Sequence, residues 1–266
     1  MTFNIISDVH FQPETIINGK EGLAEIEFDF KNLKSADYLL IAGDLATSDT
    51  FEAALKKVKK DVKGKFKDIF YVYGNHDLYD FSYLNDQHRE NQYVEEKLSE
   101  EIVLLGTTLW TPDPEIDEYA VFSIMNDFRM IPNWTLNDVR REYKLQSNWL
   151  RERVKHYKAL GKKVIVMTHH NPRIELHPAY ESYMKFLAKF NSPESWGYEA
   201  SYYVTDGSCN DIKPDVWICG HHHTSPIDRE IDGVRYIRNT IGYNGSWYGE
   251  PPQLKSDRWY DFIIEV

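Results

Sequence analysis

Short apolar runs that stop in small polar clusters set the pattern of this chain. Thr2-Phe3-Asn4-Ile5-Ile6 reads as a short buried strand running into Asp8 and His10. Tyr38–Ala42 ends in Gly43-Asp44, and Ile69–Tyr73 ends in Gly74-Asn75-His76-Asp77. Val164–Met167 runs into Thr168-His169-His170, and Val216–Cys219 into Gly220-His221-His222-His223. Runs this short and this apolar predict strands buried on both faces. Thr50–Val62 carries Phe51, Ala54, Leu55, Val58 and Val62 at helical spacing and stops at Gly64. Thr135–Leu160 is the clearest helix, with Leu136, Val139, Tyr143, Leu150, Val154 and Tyr157 along one stripe. Thr135 with Asp138 predicts a capping box there, Trp134 with Val139 a hydrophobic staple, and Gly161 the stop. Ile102–Leu105 and Thr107–Trp110 predict two adjacent strands divided at Gly106. Ile227–Ile231, Val234–Ile241 and Trp259–Val266 predict a closing antiparallel meander. Strands interleaved with helices place the chain in the α/β class. No repeat, low-complexity tract or linker divides it, so residues 1–266 read as a single domain.

Composition narrows the classes of function. A chain of 266 residues buries a full core, and 42% hydrophobic with 27% charged residues is ordinary for a globular protein. Lys and Arg total 31 against 42 Asp and Glu, a net charge of −11, which disfavours charge-driven binding to long nucleic acids or anionic lipid. No apolar run reaches the ~18 residues of a spanning helix. Cys209 and Cys219 are too few for a disulfide framework. The first residues lack the basic and apolar regions of a secretory signal, so the cytoplasm is the expected compartment.

The chemistry sits in the polar clusters. In α/β sheets, ligands bind at the carboxyl ends of strands, so five clusters at five strand ends should converge. The donors are the carboxylates of Asp8 and Asp44, the amide of Asn75, and His10, His169, His221 and His223. Mixed oxygen and nitrogen donors suit Mn, Fe or Zn. Side chains at i and i+2 on an extended strand share a face, which pairs Asp8 with His10 and His221 with His223. Seven donors exceed one tetrahedral ion and match two ions sharing a carboxylate, with Asp44 the natural bridge. Two such ions ~3.5–4 Å apart can hold a hydroxide between them and clamp substrate oxygens during in-line displacement.

Asp8-x-His10, Gly43-Asp44, Gly74-Asn75-His76-Asp77, Thr168-His169 and Gly220-His221-x-His223 resemble, in order, the five signature blocks of the calcineurin-like metallophosphoesterases. The resemblance implies a four-layer α/β/β/α sandwich with a dinuclear site at one edge. It implies that Asp8, His10 and His223 hold the first ion and that Asn75, His169 and His221 hold the second. Asp44 bridges them, and His76 is the non-ligand histidine that protonates the leaving oxygen. The implied reaction is hydrolysis of a small phosphodiester or phosphomonoester by a hydroxide bridging two divalent ions, with Mn favoured in vitro. A non-catalytic binding scaffold of the same fold is the alternative, and a nuclease is another. Leu104–Thr111, Met125–Arg129, Thr168–Pro172 and Trp217–His223 also resemble an uncharacterised, largely bacterial branch of the family.

Departures narrow the subclass. Phosphoprotein phosphatases of the superfamily carry Asp and Arg where this chain has Thr47 and Ser48, and Glu at Asp77. The lipid A branch has Arg in place of His76. Both assignments are disfavoured, and the group that orients His76 is left open. His170 and His222 are expected beside the ligands or facing solvent, not as ligands. Arg129, Arg173 and Arg238 are candidates to grip a substrate phosphate, since a guanidinium fork matches it. The aromatic content is high, 14%, and concentrates in two insertions at residues 112–134 and 174–205. These include Tyr119, Phe122, Phe128 and Trp134, then Tyr180, Tyr183, Phe186, Phe190, Trp196, Tyr198, Tyr202 and Tyr203. They are expected to form a cap-like cover over the site that selects substrate.

Overall fold

The computed structural model describes residues 1–11, 28–80, 93–111, 125–176, 208–224, 226–242 and 260–266. In chain order the elements are β1 (Thr2–Ile6), β2 (Tyr38–Ala42), α1 (Ser48–Asp61), β3 (Asp68–Val72), β4 (Val94–Lys97) and β5 (Ile102–Thr107). They continue with α2 (Asp127–Met130), α3 (Leu136–Ala159), β6 (Lys163–Thr168), β7 (Val216–Ile218), β8 (Ile227–Ile231), β9 (Val234–Arg238) and β10 (Ile263–Glu265). Two sheets form, with strand orders β10-β1-β2-β3 and β4-β5-β6-β7-β9-β8.

Alternation along each strand divides the apolar side chains between two faces. Phe3, Ile5, Leu40 and Ala42 meet Leu104, Ile165, Met167, Val216 and Ile218 between the sheets. Leu39 and Ile41 face the other way, onto Phe51, Ala54, Leu55 and Val58 of α1. Val103, Leu105, Val164, Val166 and Trp217 face Leu150, Val154 and Tyr157 of α3. The layers are therefore helix, sheet, sheet, helix, the four-layer α/β/β/α sandwich. The long helix starts as its sequence dictates: the Thr135 hydroxyl accepts from the Asp138 N–H, and the Asp138 carboxylate accepts from the Thr135 N–H. Trp134 and Val139 are buried in the same cluster. Among the described residues no helix is long and apolar enough to cross a membrane.

Two expectations are corrected. The segment around Gly106 is one strand, β5, running through the glycine. Gly106 is there for space, because a Cβ would sit 2.8 Å from Val72 Cγ1. The C-terminal run does not join a meander: β10 pairs antiparallel with β1 in the other sheet, and β9 pairs parallel with β7. The exposed strand β4 carries Glu95, Glu96 and Lys97, so its polar edge sequence gives no apolar signal. Of the two aromatic insertions, residues 112–124 and 177–207 lie outside the described residues. Phe128 and Trp134 belong to the core, with Trp134 against Trp110 at a ring distance of 4.7 Å.

All the parallel strands end at one edge, and there the sheets are stitched together. Ser7 pairs with Thr240 beyond β1 and β9. The Ser7 N–H donates to the Asn239 carbonyl at 3.0 Å, and the Asn239 side-chain amide donates to the Ile5 carbonyl at 2.7 Å. The Asp8 N–H then reaches across to the Gly43 carbonyl at 3.0 Å.

Candidate metal centre

The donors arrive on turns, not on strand extensions. Asp8, His10, Asp44 and His221 have φ of 54°, 47°, 53° and 67°, the left-handed region. The i, i+2 argument from extended backbone is corrected here, since β1 stops at Ile6 and β7 at Ile218. The paired donors still converge, because left-handed residues curl the chain back toward the sheet edge. Asp and His tolerate this region better than branched residues do, and such strain concentrates at functional sites. Gly74 is required for a different reason: a Cβ there would fall on the Asp44 carboxylate.

Backbone groups fix the carboxylates. The His76 N–H donates to Asp44 Oδ1 at 2.9 Å, and the His221 N–H to Asp8 Oδ2 at 3.0 Å. Each carboxylate keeps its other oxygen for the centre. Asp77, adjacent to His76, points away from it. Its carboxylate accepts from the N–H groups of Asp44 at 2.7 Å, Gly74 at 2.8 Å and Ala46 at 2.9 Å. Burial, and the charge of Asp44, push the Asp77 carboxyl up to about 8 against the pull of those N–H groups.

The donor atoms form two triads. In one, His223 Nε2 lies 3.2 Å from Asp8 Oδ1 and 3.1 Å from His10 Nε2. In the other, His169 Nε2 lies 3.1 Å from Asn75 Oδ1 and 3.2 Å from His221 Nδ1. Asp44 Oδ2 sits between them, 3.8 Å from His10 Nε2 and 3.4 Å from His169 Nε2. Ligands ~2.0–2.2 Å from one ion stand about 3 Å apart at right angles, and these spacings fit that requirement. The His169 Nδ1–H donates to the Ala42 carbonyl at 2.9 Å, which fixes Nε2 as its donor nitrogen. His76 is also brought in: its ring, His10 and Asp44 place one donor atom each within 4.8 Å of one another.

Charge in the cluster is balanced by a proton. Burial pushes His10 and His170 down to about 3, so both are neutral imidazoles near pH 7. Burial also pulls on His169, but the carboxylate of Asp44, and then that of Asp8, carry it up to about 10. The His169 imidazolium thus occupies the position between the carboxylates that a cation would neutralise. His170 is fully buried, with its ring 4.4 Å from that of His221.

The arginines separate. Arg129 is exposed on α2. Arg173 is committed to Glu175 at 2.6 Å and Asp232 at 2.7 Å. Arg238 is 1% exposed and donates to the Leu176 carbonyl, the Asn171 side chain and the Thr224 hydroxyl. Sequence reasoning missed Tyr79 and Asp127, which contact Asn75 and each other. A tyrosine three residues past His76 was the available signal, because side chains at i and i+3 eclipse in a 3₁₀ turn such as His76–Leu78.

A family model described as calcineurin-like phosphoesterase matches residues 1–225. An uncharacterised protein of Acanthamoeba polyphaga mimivirus is 26% identical over 268 residues, covering 90% of each chain. The crystal structure of phosphopantetheinyl hydrolase from Mycobacterium tuberculosis superposes with a TM-score of 0.58 at 15% identity, over 91% of this chain and 90% of that one. A dimetal phosphatase from Danio rerio gives a TM-score of 0.48 at 15% identity, over 89% and 86% of the two chains.

Two outcomes follow from the electrostatics and from the Asp77 contacts. His169 starts from an ordinary 6.5, so its raised folded value adds stability to the metal-free protein below 6.5 that is lost as pH rises toward 10. A metal ion held there would compete for Nε2 with that proton, so metal affinity should rise with pH over the same window. Calorimetric Mn²⁺ titrations at pH 7 in buffers of differing ionisation enthalpy should show proton release; uptake without release would contradict the imidazolium. Asp77→Ala leaves three buried N–H groups unpartnered and should cost on the order of 3 kcal/mol or more in urea unfolding.

Proposed function

The chain belongs to the calcineurin-like phosphoesterase family, and on that premise we propose that it hydrolyses a small phosphodiester or phosphomonoester at a two-ion centre. Asp8, His10 and His223 would hold one ion, Asn75, His169 and His221 the other, and Asp44 would be the ligand they share. The observation that carries this reading is the position of Asp44 Oδ2, 3.8 Å and 3.4 Å from the ring nitrogens of His10 and His169 in opposite triads. When bound, divalent ions supply Lewis-acid charge to the phosphoryl oxygens and acidify the attacking water. The donor set suits Mn, Fe or Zn, with Mn²⁺ the ion for loading in vitro.

The chain's own groups do the rest. Asp44 and Asp8 arrive already oriented by backbone N–H groups, so little reorganisation accompanies binding. His76 is partly exposed, with its ring 4.5 Å from that of His10, and serves as the proton donor to the leaving oxygen. Arg129, exposed on α2, is proposed to grip the substrate phosphate. Arg173 and Arg238, engaged by protein partners, are better suited to bracing the site's walls. The aromatic insertions at 112–134 and 174–205 are proposed as a cap that selects substrate. A net charge of −11 with the ions at one edge favours a small anionic ester in the cytoplasm over a long nucleic acid. The seven donors all lie in the cluster, which supports a hydrolase over a binding scaffold.

Metal analysis with turnover of nitrophenyl mono- and diesters under Mn²⁺, Fe²⁺, Zn²⁺ or Mg²⁺ tests this. His76→Ala should lower kcat by ~10²–10⁴-fold while keeping both ions. Asp44→Ala should lose both metal and activity. A metal-free His76→Ala protein would make His76 a ligand instead, and a wild type holding less than one ion per chain would favour the scaffold.

A further inference from the structure

Asp127 opens the short helix α2 and is only 1% exposed. A carboxylate at that depth must be held by donors. Its Oδ1 accepts from Asn75 Nδ2 at 2.8 Å and from the Tyr79 hydroxyl at 2.8 Å. Asn75 Nδ2 and the Tyr79 oxygen are themselves 3.2 Å apart, which closes a three-membered ring of contacts.

Each contact constrains a different part of the centre. A side-chain amide donates only through nitrogen and binds a cation only through oxygen. A carboxylate on the nitrogen side therefore decides which way Asn75 faces. With Nδ2 on Asp127, Oδ1 turns to His169 Nε2 at 3.1 Å, inside the second triad. With that anchor gone, the amide is free to turn over and present N–H to the ion. Tyr79 also lies against His76, with ring centroids 4.2 Å apart and planes tilted by 33°. Its hydroxyl is tied down at Asp127, so the ring is a fixed wall for the imidazole.

We propose that Asp127 is a positioning residue that aims the Asn75 oxygen at the second ion and, through Tyr79, sets the plane of the His76 imidazole. The assignment rests on the two-ion phosphoesterase reading. It also answers what positions the His76 ring in a chain whose Asp77 faces away from it: the Tyr79 ring lies against it.

Three variants of the full-length, Mn²⁺-loaded protein separate the parts. Asp127→Leu removes both acceptor oxygens at similar volume. Asp127→Asn keeps one carbonyl oxygen in place. Tyr79→Phe removes only the hydroxyl. The measurements are Mn²⁺ affinity by calorimetry, the spin coupling of the Mn pair by electron paramagnetic resonance, the melting midpoint of the metal-free protein, and kcat and KM on a nitrophenyl ester. Asp127→Leu should weaken the second ion by about tenfold or more and abolish the spin coupling while the first ion stays bound. Asp127→Asn should restore both. Tyr79→Phe should keep two ions and lower kcat with little change in KM. Should Asp127→Leu fail to fold, Tyr79→Phe and Asp127→Asn still decide. Wild-type ion affinity and turnover in Asp127→Leu, or unchanged kcat in Tyr79→Phe, overturns the proposal. So does a metal loss that Asn fails to rescue and that tracks a lowered metal-free midpoint. In those cases the wild type still binds two ions and hydrolyses ester. If the wild type does neither, the phosphoesterase reading fails and this inference falls with it.

Discussion

Two loops leave the first sheet side by side, and the carboxylate of Asp77 holds them in one arrangement. It takes the N–H of Asp44 and Ala46 from the loop after β2, and that of Gly74 from the loop after β3. Without it, three buried donors would lack partners. Asp44, Asn75 and His76 all hang from those two loops, so the spacing between the two triads depends on this one group. The His76 N–H closes the arrangement on Asp44 Oδ1. Gly74 makes it sterically possible, since no side chain fits between that backbone and the Asp44 carboxylate.

The centre meets its electrostatic problem in the same economical way. Asp8 and Asp44 are fully buried carboxylates within one cluster. Backbone N–H groups offset part of their desolvation, and the proton on His169 offsets more. Burial holds the neighbouring histidines His10 and His170 neutral, while the carboxylates of Asp44 and Asp8 favour the proton on His169. A divalent ion would exchange with that proton and meet ligands that are already aimed.

Much of this was legible in sequence, for a physical reason. Four of the five donor blocks follow buried strands and the fifth follows the half-buried edge strand β3, and the exit of such a strand is nearly a fixed point on the sheet edge. Spacing within the block then needs to be only approximately right. The same logic found α3, whose cap and staple are local contacts. What depends on distant partners was not legible. Arg173 looked available until Asp232 met it from across the fold. Gly106 looked like a break, but it answers to Val72 in the opposite sheet. The turned backbone at Asp8 and His221 was hidden because an i, i+2 pair reads the same on a strand or a curl. Asp127 lies within Met125–Arg129, yet what it does depends on a contact with Asn75, 52 residues earlier.

The pairing of β1 with β10 bears on how the molecule reaches its native state. Thr2 stands opposite Glu265, and Ser7 opposite Thr240, so β1, which leads into Asp8 and His10, is held by distant partners as well as by β2. Closing loops of that size comes late and slowly, because their entropy must be overcome before the contacts repay it. The first triad joins residues 8 and 10 to residue 223, so it is whole only once those distant segments have met. Ions would therefore act on the nearly finished fold, holding it closed and slowing its unfolding, and would not guide the first steps of its collapse.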